Sequence, residues 1–247
     1  MSHRTERLKV ALRDNLLPGF LFRLRAAMQG IPDAGSYWPT FQPWRSHREF
    51  RAIHAAVKGH TLLTAERLWI VYSLARQALA TKGDFLEAGV YRGGTARLLR
   101  HVIDSSRNAP VLHVFDTFKG MPSIDPKHDR HREADFSDTS LEAVMKFVGR
   151  DRVEYHPGFM PDTFRGLEGR RFAFAHIDVD IYKSVRDCCA FVYPHTPAGG
   201  LMVFDDYGLP SCPGARAAVD EYFADKPEFP LVLRTGQAIV VKAGNDP

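Results

Sequence analysis

From residue 84 onward, short apolar runs alternate with segments whose apolar positions recur at helical spacing. DFLEAGV leads into GGTARLLRHVID, and VLHVFD into a polar stretch, 119–138, and a helix from about 140. RVEYHPG precedes a short helix near 161–167, and RFAFAHIDV precedes a helix from Tyr182 to Tyr193. GGLMVFDD is followed by a helix at about 214–225. Two last strands, PLVLRT and QAIVVKA, abut at Gly236 as a terminal hairpin. Upstream, TAERLWIVYSLARQALA predicts a helix over about 64–80 with Thr64 as its cap. Residues 1–60 read as a basic amphipathic helix, a Pro- and aromatic-rich stretch (Tyr37, Trp38, Pro39, Phe41, Pro43, Trp44) and a second short helix. Strands separated by helices predict an α/β, Rossmann-like, doubly wound and mainly parallel sheet, with a C-terminal hairpin and an N-terminal helical appendage. The expected division is a lid or appendage over 1–60 and a catalytic body over 61–247.

In such sheets ligands bind beyond the carboxyl ends of the strands. Acidic residues gather at those ends: Glu87, Asp116, Asp178 with Asp180, and Asp205 with Asp206. Carboxylates behind apolar flanks such as FAFAHI and GLMVF are costly unless something positive sits among them. A hard cation with oxygen ligands, Mg²⁺, answers that cost; ion pairing with Arg or Lys is the plainer alternative. If the strand persists, Asp178 and Asp180 face the same side. Glu87-Ala-Gly89-Val-Tyr91-Arg-Gly93-Gly94 is a glycine-rich strand-to-helix turn that lets a ligand approach the backbone and meet free N–H groups. It is not the dinucleotide fingerprint G-x-G-x-x-G. Asp116 either hydrogen-bonds a ribose or caps the turn at Thr117.

Composition narrows the classes. Hydrophobic residues make up 45% of 247, and 33 basic against 29 acidic residues give a net charge of +4, too mild to imply nucleic acid. Cys188, Cys189 and Cys212 form neither a disulfide framework nor a zinc motif, which points to a reducing cytoplasm. Residues 1–13 are too charged for a secretory signal, and no apolar run approaches the roughly 18 residues of a membrane span. His128 and His131 in DPKHDRHREAD tempt a metal reading, but their charged, irregular neighbours favour a solvated, mobile loop. His113 and His176 lie in strands as core residues, and the parity of His176 with Asp178 leaves a site role open. Thr139-Ser-Leu-Glu142 reads as a capping box.

FLEAGVYRGG, FDTFKGMP, HIDVDIY, GGLMVFDDYG, CPGARAAVDEYF and TGQAIVVK together resemble the TylF/MycF/NovP-type O-methyltransferases. These are S-adenosylmethionine- and Mg²⁺-dependent enzymes of antibiotic-sugar tailoring. The resemblance covers about residues 60–243 in family order; 1–60 and 119–138 match less closely. It implies that Glu87 and Gly89 line the methionine part of the cofactor, with Tyr91 and Gly93 of the same turn also in the cofactor site. It further implies Asp116 at the ribose, Gly158 and Phe159 at the adenine, Asp178, Asp205 and Asp206 on the metal, and Asp180 as general base. The expected acceptor is a sugar-bearing small molecule with a vicinal diol, and the expected assembly a homodimer or higher oligomer. Two other classes stay open: a metal-dependent glycosyltransferase using Asp178-x-Asp180, and a non-catalytic partner-binding scaffold.

Overall fold

A computed structural model describes residues 41–107 and 110–244. The basic helix and most of the aromatic stretch expected before residue 41 lie outside these. The compact body begins at Trp44, ahead of the boundary expected at residue 61. Its early start reflects helix α1 (Arg48–Val57), whose Phe50, Ile53 and Val57 recur on one face and are buried in the main core.

Besides a short helix at Pro43–Ser46 and a 3-10 turn at Asp162–Phe164, the described residues form α2 (Ala65–Ala78), β1 (Asp84–Ala88), α3 (Gly94–Asp104), β2 (Leu112–Asp116), α4 (Leu141–Val148), β3 (Val153–Pro157), β4 (Phe172–Ile177), α5 (Tyr182–His195), β5 (Leu201–Phe204), α6 (Pro213–Phe223), β6 (Leu231–Val232) and β7 (Ala238–Val241). One seven-stranded sheet takes the order β3-β2-β1-β4-β5-β7-β6. The first five strands are parallel. The terminal hairpin forms as expected, but its second strand, β7, lies antiparallel beside β5 and leaves the two-residue β6 at the edge.

β4 and β5 are buried at every position, and Phe85 and Leu86 of β1 point into opposite cores. Helices cover both faces of the sheet, which is why these strands read as continuous apolar runs. Each fully buried Leu or Phe contributes roughly 1.5–3 kcal/mol of burial energy. α1, α2 and α3 pack around Phe50, Leu68, Tyr72 and Leu99. α5 and α6 pack around Phe115, Val185, Phe204 and Phe223. Among the described residues no helix is long and apolar enough to cross a membrane.

Thr64 caps α2 by accepting the Arg67 N–H at 3.3 Å. α4 differs from expectation: Ser140, not Thr139, is the N-cap and accepts the Ala143 N–H at 3.2 Å. The Thr139 hydroxyl is instead used on the Tyr91 carbonyl. Strand order reverses between β1 and β4, and the site lies at their carboxyl ends.

Candidate active site

β1 ends at Ala88, and Gly89 turns with φ +84°. A Cβ there would sit 1.7 Å from the Asp178 carbonyl oxygen, so only glycine lets β1 and β4 close at this point. The next two amides, of Val90 and Tyr91, donate to Asp116 Oδ2 at 2.7 and 3.0 Å. The Phe118 N–H donates to Asp116 Oδ1 at 2.7 Å. Asp116 therefore ties the glycine turn to the end of β2 and caps its own turn at Phe118 rather than at Thr117. Tyr91, Phe118 and Asp180 all hold positive φ without being glycine (50°, 53° and 58°). Such strain costs on the order of 1–3 kcal/mol per residue and clusters at functional sites.

A cavity of about 690 Å³ opens here, within the usual range of small-molecule sites. Gly89, Tyr91, Asp116, Gly158, Phe159, Asp178, Asp180 and Asp206 line it, as do Arg67 and His131. Glu87, Gly93 and Asp205 lie behind its wall. Gly93 is the N-cap of α3 at φ +82°, and a Cβ on it would meet Val144 and Val148 of α4.

Glu87 is fully buried, with Oε1 3.3 Å from His176 Nδ1 and no hydrogen-bond partner at Oε2. Burial, reinforced by the charges of Asp178 and Asp116, pushes its carboxyl well above the usual range. Burial drives His176 down to about 3, with the nearby Arg67 charge adding, so its ring is neutral.

The acidic end departs from the sequence reading in two ways. β4 stops at Ile177, and Asp180 turns out of the strand, so the same-face argument for Asp178 and Asp180 fails. Both nevertheless reach the cavity because the chain bends around it. The Asp180 N–H donates to Asp206 Oδ2 at 3.0 Å. Burial and then the Asp180 charge push Asp178 up to about 7. Asp180 and Asp206 are raised too, by burial first, Asp206 further by the Asp180 and Asp178 charges. Asp205 points the other way. Arg67 touches its Oδ2 and donates to its carbonyl at 3.2 Å, and Gln237 Nε2 donates to its Oδ1 at 2.6 Å. Even so, a carboxylate oxygen of Asp205, one of Asp178 and a ring nitrogen of His176 lie within 4.8 Å of one another.

Arg67 and His131 were not expected. Arg67 had a signal: it sits four and eight residues before buried Val71 and Ala75, on the inward stripe of α2. His131 had none. Its segment is tied to the body: Asp129 accepts the Tyr182 N–H at 2.8 Å and Arg130 donates to the Pro210 carbonyl at 3.0 Å. The His128 ring stacks on Tyr182 at 4.3 Å. His113 is a core residue as expected, with Nδ1 3.1 Å from His156 Nε2.

A doubly wound sheet with a glycine turn and an acidic cluster facing one cavity at its switch point is a Rossmann-like architecture built to hold a small molecule. The structure of the O-methyltransferase NovP matches with a TM-score of 0.65 at 26% identity, over 80% of this chain and 91% of that one. Residues 42–228 match the macrocin-O-methyltransferase (TylF) family, and the chain belongs to it. Mycinamicin III 3''-O-methyltransferase of Micromonospora griseorubida is 32% identical over 181 residues, 66% of this chain and 70% of that protein. Demethyldecarbamoylnovobiocin O-methyltransferase of Streptomyces niveus is 31% identical over 182 residues, 67% of this chain and 68% of that one. The expected fold and family are borne out, and the glycosyltransferase and scaffold readings fall away.

Proposed function

We propose that this O-methyltransferase transfers the methyl group of S-adenosylmethionine to a hydroxyl of a sugar-bearing small molecule, with a divalent cation, Mg²⁺, at its acidic end. The reading is carried by one observation: Asp178, Asp180 and Asp206 converge on the cavity that the Gly89 turn also lines. It draws support from relatives named for sugar-bearing substrates, mycinamicin and a rhamnosyl-tetracenomycin.

The residues fit the cofactor. Glu87 Oε2 is a buried acceptor without a donor, suited to the methionine ammonium group. Tyr91, Gly158 and Phe159 line the wall on which ribose and adenine would lie, and Gly93 acts one layer back by starting α3. Asp116 keeps about one lone pair, on Oδ1, for a ribose hydroxyl beside its three backbone donors. The residues also fit a cation: three carboxylates with raised proton affinity share one corner. Asp178 and Asp206 would hold it from the cavity side, and Asp205 from behind, where Arg67 and Gln237 fix its carboxylate. A magnesium ion held there would supply positive charge that acidifies a sugar hydroxyl.

Asp180 faces the acceptor end and takes the hydroxyl proton as the oxygen–methyl bond forms and the carbon–sulfur bond breaks. Burial keeps Asp180 basic enough for that role. The cavity would hold donor and acceptor in line. A vicinal diol lets one hydroxyl anchor while its neighbour reacts. A matched pair of acceptors tests this, with the anchoring hydroxyl present or absent. Its loss should lower kcat/KM about 10²-fold through misplacement; equal values would refute the diol requirement. A cytoplasmic setting is consistent with three free, buried cysteines.

A further inference from the structure

We propose that His131, Asp180 and Cys212 form a second cation site, selective for a thiophilic divalent ion such as Zn²⁺, whose occupation withdraws Asp180 from methyl transfer. His131 Nε2 lies 3.5 Å from Asp180 Oδ1. Cys212 Sγ lies 3.2 Å from the same oxygen and 3.5 Å from His131 Nε2. Tetrahedral zinc bonded at about 2.0–2.3 Å sets neighbouring N, O and S ligands roughly 3.3–3.6 Å apart. The triangle already has those dimensions to within a few tenths of an ångström. Its corners come from three places in the chain: the segment before α4, the turn after β4, and the N-cap of α6.

The supporting shell suits a metal. Asp135 Oδ2 lies 3.3 Å from His131 Nδ1, which holds the ring proton there and leaves the Nε2 lone pair for an ion between it, Asp180 and Cys212. Ser211 Oγ is 3.3 Å from Cys212 Sγ. His131 and Asp180 line the cavity, so the fourth position of a tetrahedral ion opens toward the acceptor. Sulfur and imidazole favour a softer ion than Asp178 and Asp206, which offer oxygen alone. On binding, the thiol gives its proton to solvent as the sulfur–metal bond forms, with no change of oxidation state. The inhibitory consequence rests on the reading of Asp180 as base; the site itself does not.

The test titrates metal-free full-length protein with Co²⁺, a coloured stand-in for Zn²⁺. A thiolate-to-cobalt charge-transfer band should appear, saturate at one ion per chain, resist excess Mg²⁺ and vanish on adding Zn²⁺. Cys212→Ser should abolish the band, and Asp135→Asn should weaken binding about 10- to 100-fold. His131→Gln should also lose tight binding, which guards against misfolding of the buried Cys212 variant. Zn²⁺ should then inhibit Mg²⁺-supported turnover over the range that displaces cobalt. No thiolate band in the unmodified protein would overturn the site. A band with undiminished turnover at saturation would keep the site and overturn Asp180 as the base.

Discussion

Gly89→Ala should separate the stabilising and catalytic demands on the β1–β4 junction. The left-handed backbone alone costs an L-residue roughly 1–2 kcal/mol. The added Cβ would also lie 1.7 Å from the Asp178 carbonyl oxygen, where real contacts stay beyond 3.0 Å. The two strand ends must therefore part by more than 1 Å, and such overpacking adds about 1–3 kcal/mol. The total, about 2–5 kcal/mol, is survivable for a domain of 5–15 kcal/mol stability and should lower Tm by about 5–20 °C. A shift of that size between Glu87 and Asp178 should also cost on the order of 10²-fold in kcat. Gly166→Ala is the control: its φ is +86°, but nothing lies within 4 Å of the added atom. Thermal melts of the two variants isolate the clash, and turnover reports the displacement. A Gly89→Ala protein within about 0.5 kcal/mol of Gly166→Ala, with unchanged kcat, would refute this account of the junction.

Asp180→Asn should lower kcat about 10²- to 10⁴-fold while S-adenosylhomocysteine affinity holds, as steady-state kinetics and calorimetry will tell. Arg67→Met should destabilise by roughly 3–5 kcal/mol in urea melts, because Asp205 then keeps a buried charge without its guanidinium. Adding Asp205→Asn should recover much of that loss. The Asp178 carboxyl, raised from 3.8 to about 7, keeps a proton in the folded chain that the unfolded chain has released. Metal-free stability should accordingly fall as pH rises from about 4 through 7, relative to Asp178→Asn, which does not titrate; parallel pH curves would contradict it.

The sheet was legible because its strands are buried on both faces, so FAFAHI and LMVF show as unbroken apolar runs. The Thr64 cap was legible because it is local. Contacts between distant segments were not. Cys212 and His131 stand 81 residues apart, and only the fold brings them onto Asp180. Adjacency already sends Asp205 and Asp206 different ways, but that Asp205 is the one turned from the cavity depends on Arg67 and Gln237 from other elements. Asp180 misled for a different reason. Alternation predicts facing only while a strand lasts, and a residue at φ +58° ends the strand before the rule applies. Even the α4 cap slipped by one residue, since Thr139 and Ser140 carry the same chemistry and only the Tyr91 carbonyl distinguishes them.

The cavity lined by the Gly89 turn should hold S-adenosylmethionine with Glu87 at its amino end. Calorimetric titration of S-adenosylhomocysteine into the wild type and Glu87→Gln tests it most directly, with NAD and a UDP-sugar as comparison ligands. Removing a charge-assisted hydrogen bond is worth about 1.5–3 kcal/mol, so Glu87→Gln should bind roughly 10- to 100-fold more weakly. The wild type should bind one S-adenosylhomocysteine per chain and neither comparison ligand. Binding of NAD or the UDP-sugar, with none for S-adenosylhomocysteine, would contradict the account.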